Sequence, residues 1–158
     1  MGLSMKISAC LGLGSLLLLM PGRPTVAAPF RVLWRGTGGW GEKSAYCALF
    51  DTKTIQTVSG VVVSVDSVTP MPGMRPGIEL QLKAGKELIP IHLGPLWYLE
   101  NQDIDINPED TVEVTGSRIY CDGKEVIAAT EVRHGDKTIK LRDAKGHPLW
   151  VAAAQETK

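Results

Sequence analysis

Five acidic residues lie close together in one short stretch of the chain, between positions 100 and 110. Carboxylates are hard oxygen ligands of the kind that Ca²⁺, Mn²⁺ and iron prefer in proteins. Glu100, Asp103 and Asp105 are therefore candidate metal ligands. The spacing fits no EF-hand, and Asp103 and Asp105 alternate with isoleucines, as on a strand whose acids face water. The pattern favours a solvated acidic face, with a metal site as the alternative.

Groups suited to catalysis are scattered along the sequence. Nucleophilic or acid–base catalysis needs a nucleophile beside a base, or two carboxylates placed by rigid elements. The serines lie in no nucleophile-elbow pattern, and His92, His134 and His147 fall on different predicted elements. The sequence therefore predicts that the protein is not an enzyme.

Two cysteines, Cys47 and Cys121, follow the hydrophobic N-terminal segment, and the third, Cys10, lies inside it. In an oxidising compartment the pair can form one disulfide that closes a loop of more than seventy residues. Two separate, small buried side chains are the alternative. No CxxC or CxxCH motif occurs, so neither thiol exchange nor covalent haem attachment is supported, and we expect no cofactor.

Three prolines and two glycines between Thr69 and Gly77 predict a loop. Its Met71, Met74 and Arg75 are candidate residues for binding a small ligand. Methionine in such a loop more often covers the mouth of a barrel than binds a metal.

Alternating and β-branched segments predict the secondary structure. Ile78, Leu80 and Leu82 should face the core. A short helix is expected between Pro95 and Asn101. The predicted strands are Thr54–Val68, Ile78–Lys83, Glu87–Leu93, Asp110–Ile119 and Lys124–Arg133.

This order of strands and helix predicts an all-β fold, a small five-stranded OB-fold-like barrel with one short helix, over residues 54–151. An immunoglobulin-like sandwich would need more strands. Lys137–Arg142 and His147–Val151 suggest a final hairpin, and residues 152–158 should fray. Residues 28–53 form a lead-in rich in glycine and tryptophan, with a short helix within Glu42–Asp51. The four tryptophans are interpreted as packing anchors.

The first 27 residues have the pattern of a signal peptide. Lys6 precedes an apolar run from Ile7 to Met20, and small residues follow near Ala27. Cleavage before Ala28 is favoured, and an uncleaved membrane anchor is the alternative. Either outcome predicts export.

The charge balance disfavours nucleic-acid binding. Lys and Arg number 17, as do Asp and Glu, and removal of residues 1–27 takes away only the basic Lys6 and Arg23. OB-folds often bind oligonucleotides through aromatic residues on the second and third strands, where this sequence offers none.

Four stretches resemble a known family: TPMPGMRPGIELQL, IPIHLGPLWYLENQDIDI, VEVTGSRIYCDGKEVIAATEV and LRDAKGHPLW. They are similar to the MamS/MamX-type family of exported bacterial proteins with an OB-fold-like domain, and to its MamS-type members most. The resemblance covers about Thr54 to Trp150. It implies a protein of the magnetosome membrane or lumen that magnetite crystals need to reach normal size. MamX-type members carry CxxCH haem motifs, which this chain lacks.

The resemblance also implies partners, namely other magnetosome or envelope proteins, and the membrane through the N-terminal segment. The acidic residues Glu100, Asp103 and Asp105 then become a candidate contact for iron or mineral. A general periplasmic module that binds a small ligand or an envelope component is the alternative function.

Overall fold

The computed structural model describes residues 36–103 and 105–155. The predicted signal or anchor segment, residues 1–27, and Trp34 lie outside the described residues. Within the described part of the chain, no helix is both long enough and apolar enough to cross a lipid bilayer.

Six strands dominate the described residues, so the all-β prediction is confirmed. They are β1 (Ile55–Val68), β2 (Gly77–Ala84), β3 (Glu87–Pro95), β4 (Thr111–Cys121), β5 (Lys124–His134) and β6 (Lys137–Lys140). The helices are short: one-turn 3-10 helices at Cys47–Leu49 and Thr52–Thr54, α1 at Leu96–Leu99 and α2 at Trp150–Gln155. The predicted helix after the third strand is thus present as α1.

The strands form one sheet in the order β3-β2-β1-β4-β5-β6. A short parallel pairing of β3 with β5, at Ile91–Ile127 and His92–Ala128, closes the first five strands into a ring. A register shift between Val62 and Ser64 marks an irregularity in β1, which pairs with β4 through its first half and with β2 through its second. Bulges of this kind bend a strand and help a sheet to curve.

Alternating residues of the strands fill the core as predicted. Leu80 and Leu82 are fully buried, and Ile78 is partly buried against the core. Leu80 lies opposite Ile91, and Leu82 lies opposite Ile89, so one apolar face continues across two strands. Burial of such side chains contributes about 1.5–3 kcal/mol each.

Both faces of the end of β3 are covered. Ile91 and Leu93 alternate with His92 and Gly94, and all four are buried. Because successive side chains on a strand point to opposite faces, a second layer must cover the outer face. Trp40, Tyr46 and Trp150 form this outer cluster, with the Trp40 ring centroid 4.9 Å from that of Tyr46 and 5.9 Å from that of Trp150.

Two glycines admit the tryptophans of the outer cluster. A Cβ on Gly77 would lie 2.4 Å from the Trp40 ring, and one on Gly94 would lie 2.9 Å from the Trp150 ring. Gly94 also has a φ of 148°, which side-chain-bearing residues rarely adopt. The indole of Trp150 donates a hydrogen bond to the carbonyl oxygen of Trp40 at 2.8 Å. The interpretation of Trp40 and Trp150 as packing anchors is confirmed.

The predicted final hairpin is present only in part. Strand β6 ends at Lys140, and the two arms beyond it are joined by the antiparallel bridge Arg142–Pro148 and by the hydrogen bond from the Leu149 N–H to the Leu141 carbonyl oxygen at 3.0 Å, without a second strand. Trp150 then begins helix α2, which occupies residues 152–155 of the segment expected to fray. Anchoring of Trp150 in the outer cluster and the high helix propensity of the alanines that follow it explain the difference. Within Glu42–Asp51, the predicted helix is the single 3-10 turn Cys47–Leu49.

Replacing Trp150 with alanine tests whether α2 is part of the folded core. We expect W150A to lower the free energy of unfolding by about 3–5 kcal/mol, because the indole is fully buried. Urea unfolding measures the change. The matched control is L149A, since Leu149 is 38% exposed and should cost less than about 1 kcal/mol. Equal, small effects of both variants would show that α2 is a frayed terminus that contributes little to the stability of the fold.

Candidate functional site

A chain of polar side chains crosses the outer cluster. The Tyr46 hydroxyl lies 3.1 Å from Nδ1 of His92, and Nε2 of His92 lies 3.2 Å from Oε2 of Glu79. The other carboxylate oxygen of Glu79 accepts a hydrogen bond from the Gln81 amide at 2.6 Å. Glu79 and His92 are cross-strand partners on β2 and β3, so strand register sets their contact.

The direction of these hydrogen bonds follows from the carboxylate. An ionised Glu79 can only accept, so Nε2 of His92 carries the proton that it donates. Nδ1 of the neutral ring is then an acceptor, and the Tyr46 hydroxyl donates to it. The result is a directed chain from Tyr46 through His92 to Glu79.

Burial controls the protonation of this chain. His92 is only 4% exposed, and its pKa is lowered chiefly by desolvation, which the Glu79 carboxylate partly offsets. Desolvation also raises the pKa of Tyr46, an effect that the nearby Arg142 partly opposes. Both groups are therefore held neutral around pH 7, and Tyr46, at 2% exposure, is closed to an external substrate.

Arg142 is a buried cation beside the same cluster. Its guanidinium lies 5.0 Å from the ring centroid of Phe50 and 4.9 Å from that of Trp150, and it donates to the carbonyl oxygen of Gly146 at 3.0 Å. Cation–π contacts of this kind become stronger when water is excluded. Arg142 thus ties the segment after β6 to the outer cluster.

The two cysteines are free thiols in the structure, and a Cys47–Cys121 disulfide in an oxidising compartment stays a prediction. Each thiol contacts a different carbonyl oxygen: Sγ of Cys47 lies 3.8 Å from that of Trp40, and Sγ of Cys121 lies 3.3 Å from that of Pro70. Burial raises the pKa of Cys121 and keeps it a thiol.

The acidic residues do not converge on one point. Glu100, Asp103 and Asp105 are exposed, and Asp103 pairs with Lys137 at 3.4 Å. The backbone carbonyl of Asp105, rather than its carboxylate, contacts His134. Among residues 36–103 and 105–155, no three His, Cys, Asp or Glu side chains are arranged to hold a metal ion. The predicted ligands are thus separate groups on a solvated face.

The Thr69–Gly77 loop packs against the lead-in segment. The backbone N–H of Arg75 donates to the Gly38 carbonyl oxygen at 2.9 Å, and the Arg75 carbonyl oxygen accepts from the Trp40 indole at 2.9 Å. Met71 and Met74 are partly buried against the core. Met71 and Met74 therefore contribute to the packing of the loop against the core.

Two open depressions lie on other surfaces. One, of about 470 Å³, is lined by Arg118, Tyr120 and Glu125, among others, and the second, of about 450 Å³, by Thr115, Glu131 and Lys140, among others. Neither is lined by the acidic residues 100–105 or by the methionine loop.

Sequence reasoning missed the Tyr46–His92–Glu79 chain. A signal was present, since Glu79 and His92 both lie at outward positions of neighbouring predicted strands. This signal does not identify the chain, because Tyr46, which covers His92, precedes it by 46 residues in the sequence.

The ring of strands, the Tyr46–His92–Glu79 chain and the dispersed acids define a small all-β domain. A model of the MamS/MamX magnetosome protein family matches residues 54–139, more than half of the 158 residues. The chain belongs to the MamS/MamX magnetosome protein family, as the sequence resemblance predicts. Membership associates it with the magnetosome and suggests a role in magnetosome biomineralisation. No curated protein sequence matches the chain significantly.

Acid should weaken the fold through His92. Its pKa lies below the ordinary 6.5 in the folded chain, so the unfolded chain binds this proton at higher pH. The contribution of neutral His92 to the free energy of unfolding is fully present above about pH 6.5, and it is lost progressively as the pH drops below that value. We expect the free energy of unfolding, measured in urea from pH 7.5 to 5, to follow this trend.

The variant H92Q should flatten this part of the pH profile, because its amide does not titrate. H134Q is the matched control, since His134 is half-exposed and its variant should keep the fall. An unchanged profile in H92Q would assign the acid sensitivity to other groups.

Proposed function

We propose that this protein supports the growth of magnetite crystals in magnetosomes as a non-enzymatic, exported domain that acts by contacting a partner protein. The family match carries the proposal. In this interpretation the ring is an OB-fold-like barrel, and residues 1–27 deliver it to the magnetosome membrane or lumen. The proposed partners are other magnetosome or envelope proteins.

The arrangement of the described residues supports a contact role over chemistry. The Tyr46–His92–Glu79 chain connects the lead-in segment to β2 and β3, and its Tyr46 and His92 side chains are buried. A side chain that an external substrate cannot reach can stabilise the fold, but it cannot act on that substrate. We therefore assign the Tyr46–His92–Glu79 chain to holding the lead-in segment in place.

Direct contact with iron or mineral is the second mechanism that we consider. Glu100, Asp103 and Asp105 are exposed, so their carboxylates are accessible to a surface or to hydrated cations. Their dispersion argues for weak, separate contacts rather than a closed site. The alternative function, a periplasmic module for a small ligand, would use the loop with Met71, Met74 and Arg75.

Complementation of a deletion strain tests the proposal. We expect loss of the gene to reduce magnetite crystal size in electron micrographs, and the unaltered gene to restore it. The triple variant E100A/D103A/D105A should restore crystal size if a partner contact carries the function, because exposed acids contribute little to stability. Failure of this folded variant would instead favour the iron or mineral contact.

Fractionation tests the location independently. Magnetosomes retained on a magnetic column should carry the protein, and its intact mass shows whether residues 1–27 remain. Normal crystals in the deletion strain, together with recovery only in the soluble periplasm, would overturn the proposal and leave the small-ligand module.

A further inference from the structure

The first half of β1 is paired along one edge only. Strand β4 pairs with Ile55–Val61, and β2 pairs with β1 only from Val61 onward. Within residues 36–103 and 105–155, no strand pairs with the other edge of residues 55–59. We call residues 55–59 the β1 edge. One edge of this segment is unpaired, although the five strands close into a ring elsewhere.

The backbone groups of the β1 edge can be assigned from Val62. Its N–H donates to the Asp110 carbonyl oxygen at 2.8 Å, and its carbonyl oxygen accepts from the Glu109 N–H at 2.8 Å, so both groups point toward β4. Along a strand, successive residues direct these groups to opposite edges. Gln56, Val58 and Gly60 therefore bond to β4.

It follows that Ile55, Thr57 and Ser59 direct their N–H and C=O groups away from β4, to the free edge. An unpaired edge of this kind is a template for another strand. Natural proteins commonly protect such edges with charged residues or proline.

The β1 edge has no such protection. From Thr54 to Val65, twelve consecutive residues contain neither a charge nor a proline. Three apolar side chains in this stretch are exposed to solvent: Ile55 is 38% exposed, Val61 is 42% exposed and Val63 is 49% exposed. The short edge strand β6, by contrast, carries Lys137 and Lys140. The β1 edge, unlike the β6 edge, is therefore open to pairing with another strand.

We propose that two copies of this chain pair through the β1 edge, antiparallel and about a two-fold axis at Thr57. This register places Thr57 opposite Thr57 of the second copy, where the two residues exchange both backbone hydrogen bonds, and Ile55 opposite Ser59. Every residue in the paired segment is uncharged, so the edge is complementary to itself and meets no like-charge repulsion. The inference is independent of the proposed function.

The side chains add to the pairing. Val61 lies diagonally across from Ile55 of the second copy, close enough for contact between branched side chains. Thr57 keeps its hydrogen bond to Thr115 at 2.9 Å, since this bond lies within one sheet. Pairing joins the two sheets into one continuous surface of strands.

Charge at the two-fold axis provides the test. In T57K and in T57E, two like charges face each other, and we expect the dimer dissociation constant of each variant to rise by up to roughly fivefold. An equimolar mixture of T57K and T57E should recover or exceed the affinity of the unaltered chain, because opposite charges then face each other. Light scattering of the full chain across a dilution series measures the four dissociation constants, those of the unaltered chain, of each variant and of the mixture.

Two further variants complete the experiment. T57P removes the donors at the axis, and we expect it to be monomeric where the unaltered chain is dimeric. V63K is the matched control, since it adds the same charge as T57K to β1 outside the paired segment and should stay dimeric. Circular dichroism checks that each variant is folded. A monomeric unaltered chain, or a dimer that T57P and the charge pair leave unchanged, would overturn the proposal.

Discussion

The packing of two tryptophans onto two glycines holds much of this structure together. Trp40 lies against Gly77 and Trp150 lies against Gly94, so the lead-in segment and helix α2 both rest on the outer face of β2 and β3. The Trp150 indole joins the two segments by its hydrogen bond to Trp40. Without this contact, the outer face of β3 would be open to water, and the polar chain beneath it would be solvated.

The covered polar chain depends on that packing. His92 is buried with both ring nitrogens engaged, by Tyr46 on one side and by Glu79 on the other. Removing one partner of such a group costs more than the hydrogen bond is worth, because the other is left buried and unsatisfied. The outer cluster therefore fixes one position of Trp40 and Tyr46 relative to the strands.

That surface differs from one side of the ring to the other. The side with β6 carries lysines at its edge, and Asp103 lies close to Lys137. The first half of β1 carries branched and hydroxyl side chains without charge.

Local periodicity and turn residues are enough to predict the strands, the inward alternation of Leu80 and Leu82, and the short helix. The sequence also marked the tryptophans as anchors. Three features follow from the folded arrangement instead: Trp150 begins a helix, the acids stay apart, and Tyr46, His92 and Glu79 meet. These outcomes depend on strand register and on contacts between segments distant in the chain, which no local pattern encodes.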